Sequence, residues 1–304
     1  MKRKYNHQVE IVNESSDEKL FESNKEPMLE MINDLLENNF DFDINLKVLV
    51  RDLDTKKYYM NNETDCGFST MEKDTGKFVV CFSTESLRRV EYDRGIDIGI
   101  AIHHELGHTY DLYKTMQNKY YKINPLLAKH KTMTDFVVAE GWSFWTEFFA
   151  YYFTFKTYYD WHNYPTFLQL VKGYEKLQND YAKLQPRIEV KNKETIEMAE
   201  QFIDDVKVFT YSVAKHLAGY VAGKPKSYKY TEKTKQKPTF KKVDRLCQGL
   251  LNRAADMFSN TYGKGMARKL ANIGDYIIRN VYMDFDIMPV KHKGHIAFAY
   301  YVKD

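Results

Sequence analysis

His104-Glu105-Leu106-Gly107-His108 sets two imidazoles and a carboxylate within one short stretch, a combination suited to holding a metal ion and activating a water on it. On a helix, residues four apart share a face, so His104 and His108 can each give one ring nitrogen to a single zinc. Glu105 lies about 100° around the helix from His104. Its carboxylate can stand beside the metal and take a proton from a bound water instead of ligating. The residues upstream predict the helix that this geometry needs. Asp93 is a candidate N-cap. Ile96, Ile100, His104, His108 and Asp111 follow one face, and Ile98, Ile102, Leu106 and Tyr110 an adjacent one. Asp111, three residues after His108, is a candidate to accept the free N–H of a metal-bound imidazole.

Catalytic zinc usually keeps three protein ligands and an open position for water. A third ligand six residues after His108 would fall on Lys114, and the glycine of that pattern would fall on Asp111. The metzincin arrangement therefore fails. The alternative is a glutamate from a second, downstream helix. Thr134 to Thr157 is apolar, aromatic and free of proline, yet it carries Glu140 and Glu147. Acidic groups among Phe136, Val137, Val138, Trp142, Phe144, Trp145, Phe148 and Phe149 need a compensating cation or solvent. Both glutamates remain candidates. Glu147 sits deeper in the aromatic run and is the stronger of the two.

These features resemble the gluzincins, the thermolysin-like superfamily of zinc metallopeptidases, which join H-E-x-x-H to a glutamate on a following helix. Trp145-Thr146-Glu147-Phe148-Phe149-Ala150 looks like the second motif of compact bacterial and phage-type members. The likeness covers roughly residues 77 to 158. It departs from thermolysin's own Glu-x-x-x-Asp motif, because Phe144 follows Glu140 and Tyr151 follows Glu147 at that spacing. The resemblance implies one Zn2+ held by His104, His108 and Glu147, a peptide or protein substrate, and Glu105 as general base. An oxyanion donor is also needed, usually Tyr, His or Arg. Tyr211, His216 and Tyr220, in an apolar helical stretch well downstream, are the candidates.

The bulk properties restrict the setting. A formal charge of +3 is too small to imply a nucleic-acid or membrane partner. Cys66, Cys81 and Cys247 form no C-x-x-C pair, which argues against a thiolate site and fits a reducing, cytoplasmic compartment. No apolar segment follows the basic N-terminus, so no signal peptide is expected. Phe136 to Phe155 is long enough to span a bilayer, but Glu140 and Glu147 would each cost about 2 to 3 kcal/mol there.

Three regions are expected: a polar, poorly ordered segment 1–25, a zincin-like catalytic core 26–160, and a mainly helical lobe 161–304. The fold class is α+β, predominantly helical, with a small β-containing N-terminal lobe and a helical C-terminal one. Met28 to Leu36 reads as a helix. Asn45 to Val50, Lys56 to Met60 and Lys77 to Ser83 read as strands, the last a candidate edge able to take an extended peptide. Tyr164 to Gln185, Lys193 to Val221 and Lys242 to Tyr262 read as helices, punctuated by Pro165 and Pro186. Ile277 to Asp286 is ambiguous, and His295 to Val302 is a candidate closing strand. Lys224 to Lys242 holds eight lysines and reads as a solvated basic loop. Two rival functions follow: a zincin-fold interaction protein whose metal is structural and whose basic loop meets an acidic partner, or a nucleic-acid-binding regulator acting through that loop. Intact Glu105 speaks against the first, since a structural site needs no base.

Overall fold

The computed structural model describes residues 5–52, 67–71, 77–84, 87, 96–117, 130–158, 165–190, 193–223, 235–259 and 261–300. Lys56 to Met60, Asp93 and most of the basic loop lie outside them. The chain forms two compact units, Met1–Tyr113 with Phe149–His162, and Lys114–Phe148 with Asn163–Asp304. The class is α+β and predominantly helical, as the sequence suggests.

In the first unit β1 (His7–Glu14), α1 (Glu18–Asn39) and β2 (Ile44–Arg51) form a crossover, with β1 parallel to β2. Parallel neighbours need such a connection. The first 25 residues are therefore not merely a polar lead-in. The Asp17 carboxylate accepts from the backbone N–H of Leu20 at 3.1 Å and starts α1, while Leu20, Met28, Ile32, Leu35 and Leu36 bury one stripe of it. β4 (Phe78–Ser83) follows parallel to β2, and β3 (Gly67–Met71) pairs antiparallel with β4, for the order β1-β2-β4-β3. This corrects the expectation for Lys77 to Ser83. β4 is an interior strand with all six residues buried, as a strand covered on both faces requires. Among the described residues β1 and β3 are the edges.

Two helices complete the first unit: α2 (Ile96–Met116) and the C-terminal half of α3 (Met133–Thr157). They approach at small residues. A Cβ on Gly107 would lie 2.9 Å from the Ala150 Cα and 3.2 Å from its carbonyl oxygen. Around this contact Tyr110 stacks on Phe149 and Phe153, and Phe40 meets Tyr110 edge-on.

The second unit is helical: the N-terminal half of α3, then α4 (Phe167–Leu184), α5 (Lys193–Val221), α6 (Pro238–Ser259) and α7 (Met266–Asn280), with a hairpin of β5 (Ile287–His292) and β6 (His295–Tyr300). α4 begins later than the hydrophobic pattern suggests because Thr166 and Gln169 form a capping box. α6 begins earlier because Pro238 is tolerated in a first turn, where its missing N–H has no partner to lose. Ile277 to Asp286 divides between the end of α7 and a 3-10 turn, Tyr282–Phe285. Lys293 and Gly294, both at positive φ, make the tight turn of the hairpin.

α3 and α7 cross with almost no side chain between them. A Cβ on Gly141 would lie 1.8 Å from the Leu270 carbonyl oxygen, and one on Gly274 would lie 1.9 Å from that of Val137. Neither backbone oxygen can move without displacing its helix. Gly141→Ala and Gly274→Ala are each expected to cost about 3 kcal/mol or more, read as a lowered midpoint in urea unfolding. A midpoint equal to that of the parent chain contradicts this crossing.

Candidate metal centre

α2 and α3 carry the metal-binding candidates. His104 and His108 lie one turn apart on α2 with their Nε2 atoms 3.1 Å apart. That separation is close to the edge of a tetrahedron with metal–nitrogen bonds of 2.0–2.1 Å, about 3.3 Å. Glu147 lies on α3 one turn before Ala150 and Tyr151. The first of these is the residue Gly107 approaches, and the ring of the second packs on His104 at 4.3 Å between centroids. One ligand atom from each of His104, His108 and Glu147 falls within 4.8 Å of the others. Among the described residues this is the one such group of three. Two imidazoles and a carboxylate suit zinc, and manganese and cobalt also accept them. Burial pushes the His108 imidazole down to about 4, so the neutral, metal-competent form prevails at neutral pH.

Glu105 stays out of that group. It is 6% exposed, and the Ser69 hydroxyl on β3 lies 2.5 Å from its Oε2 and 2.9 Å from its carbonyl oxygen. The carboxylate is thereby fixed by β3. Nothing in the sequence pointed to Ser69, since a single serine in a short strand carries no spacing signal. Asp111 is fully buried on α2 one turn beyond His108, so it is not a surface acid. His103, which doubles the first histidine of the motif, has a different task. Its Nδ1 is 2.5 Å from the Thr157 hydroxyl. That hydroxyl already donates to the Phe153 carbonyl, so Nδ1 must be the donor. Burial pushes His103 down to about 4, and the neutral ring ties α2 to the end of α3.

Glu140 lies elsewhere. Seven residues from Glu147 it shares a face of α3 but stands about 10.5 Å away along the axis. It is half-buried, and desolvation pushes its carboxyl up to about 7 against the pull of Lys207. Of the three oxyanion candidates, His216 faces the Pro165 carbonyl, 2.8 Å from its Nδ1, and Tyr220 is 54% exposed near the end of α5. Tyr211 feels the Glu147 charge. Burial holds its phenol above the usual value, Lys207 opposes this, and the Glu147 charge adds to it. Its hydroxyl is 2.8 Å from the Ser143 hydroxyl.

Comparison with protein-family models, with curated proteins and with solved structures finds no match to this chain. No described helix is long and apolar enough to cross a membrane.

Proposed function

We propose that this chain is a zinc-dependent metallopeptidase of gluzincin type, with His104, His108 and Glu147 as ligands and Glu105 as general base. The observation that carries the reading is the convergence of His104, His108 and Glu147 while the neighbouring Glu105 carboxylate is held apart from them by Ser69. A purely structural site has no use for a second, separately anchored acid.

Zinc bound to these ligands would supply a water of near-neutral pKa and a Lewis acid for the substrate carbonyl. Glu105 would be the carboxylate that accepts a proton there and returns it to the leaving amine. Ser69 keeps the carboxylate from turning away by hydrogen bonding to it. Tyr211 is the donor assigned to the developing oxyanion. Asp111, buried one turn beyond His108, is the acid assigned to orient that imidazole through its second nitrogen. β3, which carries Ser69 and is an edge strand among the described residues, is the place where an extended peptide can add as a further strand, its backbone held by ladder hydrogen bonds. Most of the lysine-rich stretch lies outside the described residues, and neither the nucleic-acid reading nor the acidic-partner reading gains support.

The test combines metal content with cleavage. The isolated protein is expected to carry about one zinc, to cut members of a quenched-fluorescence peptide library, to lose this on stripping with 1,10-phenanthroline, and to regain it with stoichiometric zinc. A fully zinc-loaded protein that leaves the library uncut, or cleavage that survives complete metal removal, overturns the proposal.

A further inference from the structure

Within the first unit, an aromatic face of α3 meets the histidine face of α2. His103 contacts Thr157 and Gly107 contacts Ala150, so a later residue on α2 meets an earlier one on α3. The two helices therefore run antiparallel here. Along α3, Glu147, Tyr151 and Phe155 recur at every fourth residue, and residues so spaced share a face. Tyr151 reaches the first histidine of the metal group. Its ring centre is 4.3 Å from that of His104, with the two planes tilted by 44°. That is closer than the roughly 4.5–7 Å of most aromatic pairs. Tyr151 is itself backed by Phe155, whose ring stacks on it at 6.3 Å and 25° and whose side chain is buried.

An imidazole turns about a broad, roughly two-fold torsion. His104 and His108 are only half-buried, so enclosure alone does not fix that torsion. Two rings bear on His104: that of His108 at 4.6 Å, nearly perpendicular at 87°, and that of Tyr151. His108 has the same rotational freedom as His104, whereas Tyr151 is braced from behind. A metal ion on His104 would also draw electrons from the imidazole and leave it partly cationic. An aromatic ring within about 6 Å of a cation attracts it. We infer that Tyr151 is a positioning residue of the metal centre: its ring holds the His104 imidazole in the ligating orientation and favours the charge that a bound metal places on it. The inference rests on the metal-binding half of the proposed function, not on peptide cleavage. It gives a task to a residue outside the ligand group of His104, His108 and Glu147.

The experiment uses the full chain, with zinc affinity read by chelator competition and the cobalt(II)-substituted protein read by visible absorption. Tyr151→Leu keeps an apolar side chain but removes the ring. It is expected to weaken zinc about 10-fold, the lower end of what loss of an outer-shell partner costs. Tyr151→Phe keeps the ring and should stay within about twofold of the parent chain, because the aromatic face and not the phenol oxygen does the holding. At saturating cobalt the Y151L bands should shift from those of the parent, while the Y151F bands superimpose on them. A residue that only packed would lower the urea midpoint of Y151L without moving those bands. Parental zinc affinity in Y151L, a loss in Y151F as large as in Y151L, or unshifted Y151L cobalt bands would each overturn the inference. A parent chain that takes up neither zinc nor cobalt ends it together with the metal site. A parent chain that binds zinc but cuts no peptide removes the peptidase reading alone, and the affinities and spectra still decide on Tyr151.

Discussion

Glu105→Gln is expected to keep its metal and its fold and to lose peptide hydrolysis by about two or more orders of magnitude, the effect of removing a general base. The exchange is close to isosteric at a position only 6% exposed. The new amide oxygen can accept from Ser69 as the carboxylate does, so the contact to β3 need not break. What disappears is the capacity to accept a proton. Because Glu105 lies outside the converging group of His104, His108 and Glu147, zinc content should not change. The measurement is library cleavage by parent and variant side by side at equal zinc loading. Equal rates would place the chemistry elsewhere in the molecule. Loss of zinc in the variant would make Glu105 a ligand.

Removal of the ligands themselves should separate the two glutamates that the sequence leaves open. His108→Ala is expected to abolish stoichiometric zinc. Glu147→Ala should weaken zinc by more than the roughly 10- to 100-fold that loss of an outer-shell partner costs, and Glu140→Ala by no more than that. Glu140 lies two turns away along α3, so its truncation is expected to leave the proposed ligand atoms in place. Competition against a chelator of known affinity gives the three values. A larger loss at Glu140 than at Glu147 reverses the ligand assignment, and full zinc in His108→Ala ends the metal-site reading altogether.

The parts of this arrangement that were legible in the sequence are local ones. His104 and His108 declare a shared helix face by spacing alone, and the apolar stripe before them predicts that α2 is buried. Glu140 and Glu147 defeat the same logic, since residues seven apart occupy nearly the same angular position on a helix. The contact that distinguishes them, Gly107 against Ala150, is made across space. Strand order is hidden for the same reason. The Phe78–Ser83 run reads as a strand, yet whether it is an edge depends on Gly67–Met71, a short segment with no clear alternation, pairing beside it. Ser69 was invisible because its importance comes from the residue it faces. The alternation of Val9 and Ile11 with polar neighbours was available as a sign of β1, but the high charge of the first 25 residues masked it.

The approach of Gly107 to Ala150 also acts as a caliper. Two of the proposed metal ligands are borne by one helix and the third by another, so the bite of the trio depends on the gap between the two backbones as well as on the three side chains. The hydrogen atom that residue 107 presents to the Ala150 backbone defines that gap. Ligand spacing here is thus in part a tolerance machined into residues that bear no donor atoms. A chain could keep every histidine and glutamate of the site and still mismatch its ion through the width of a single methyl group.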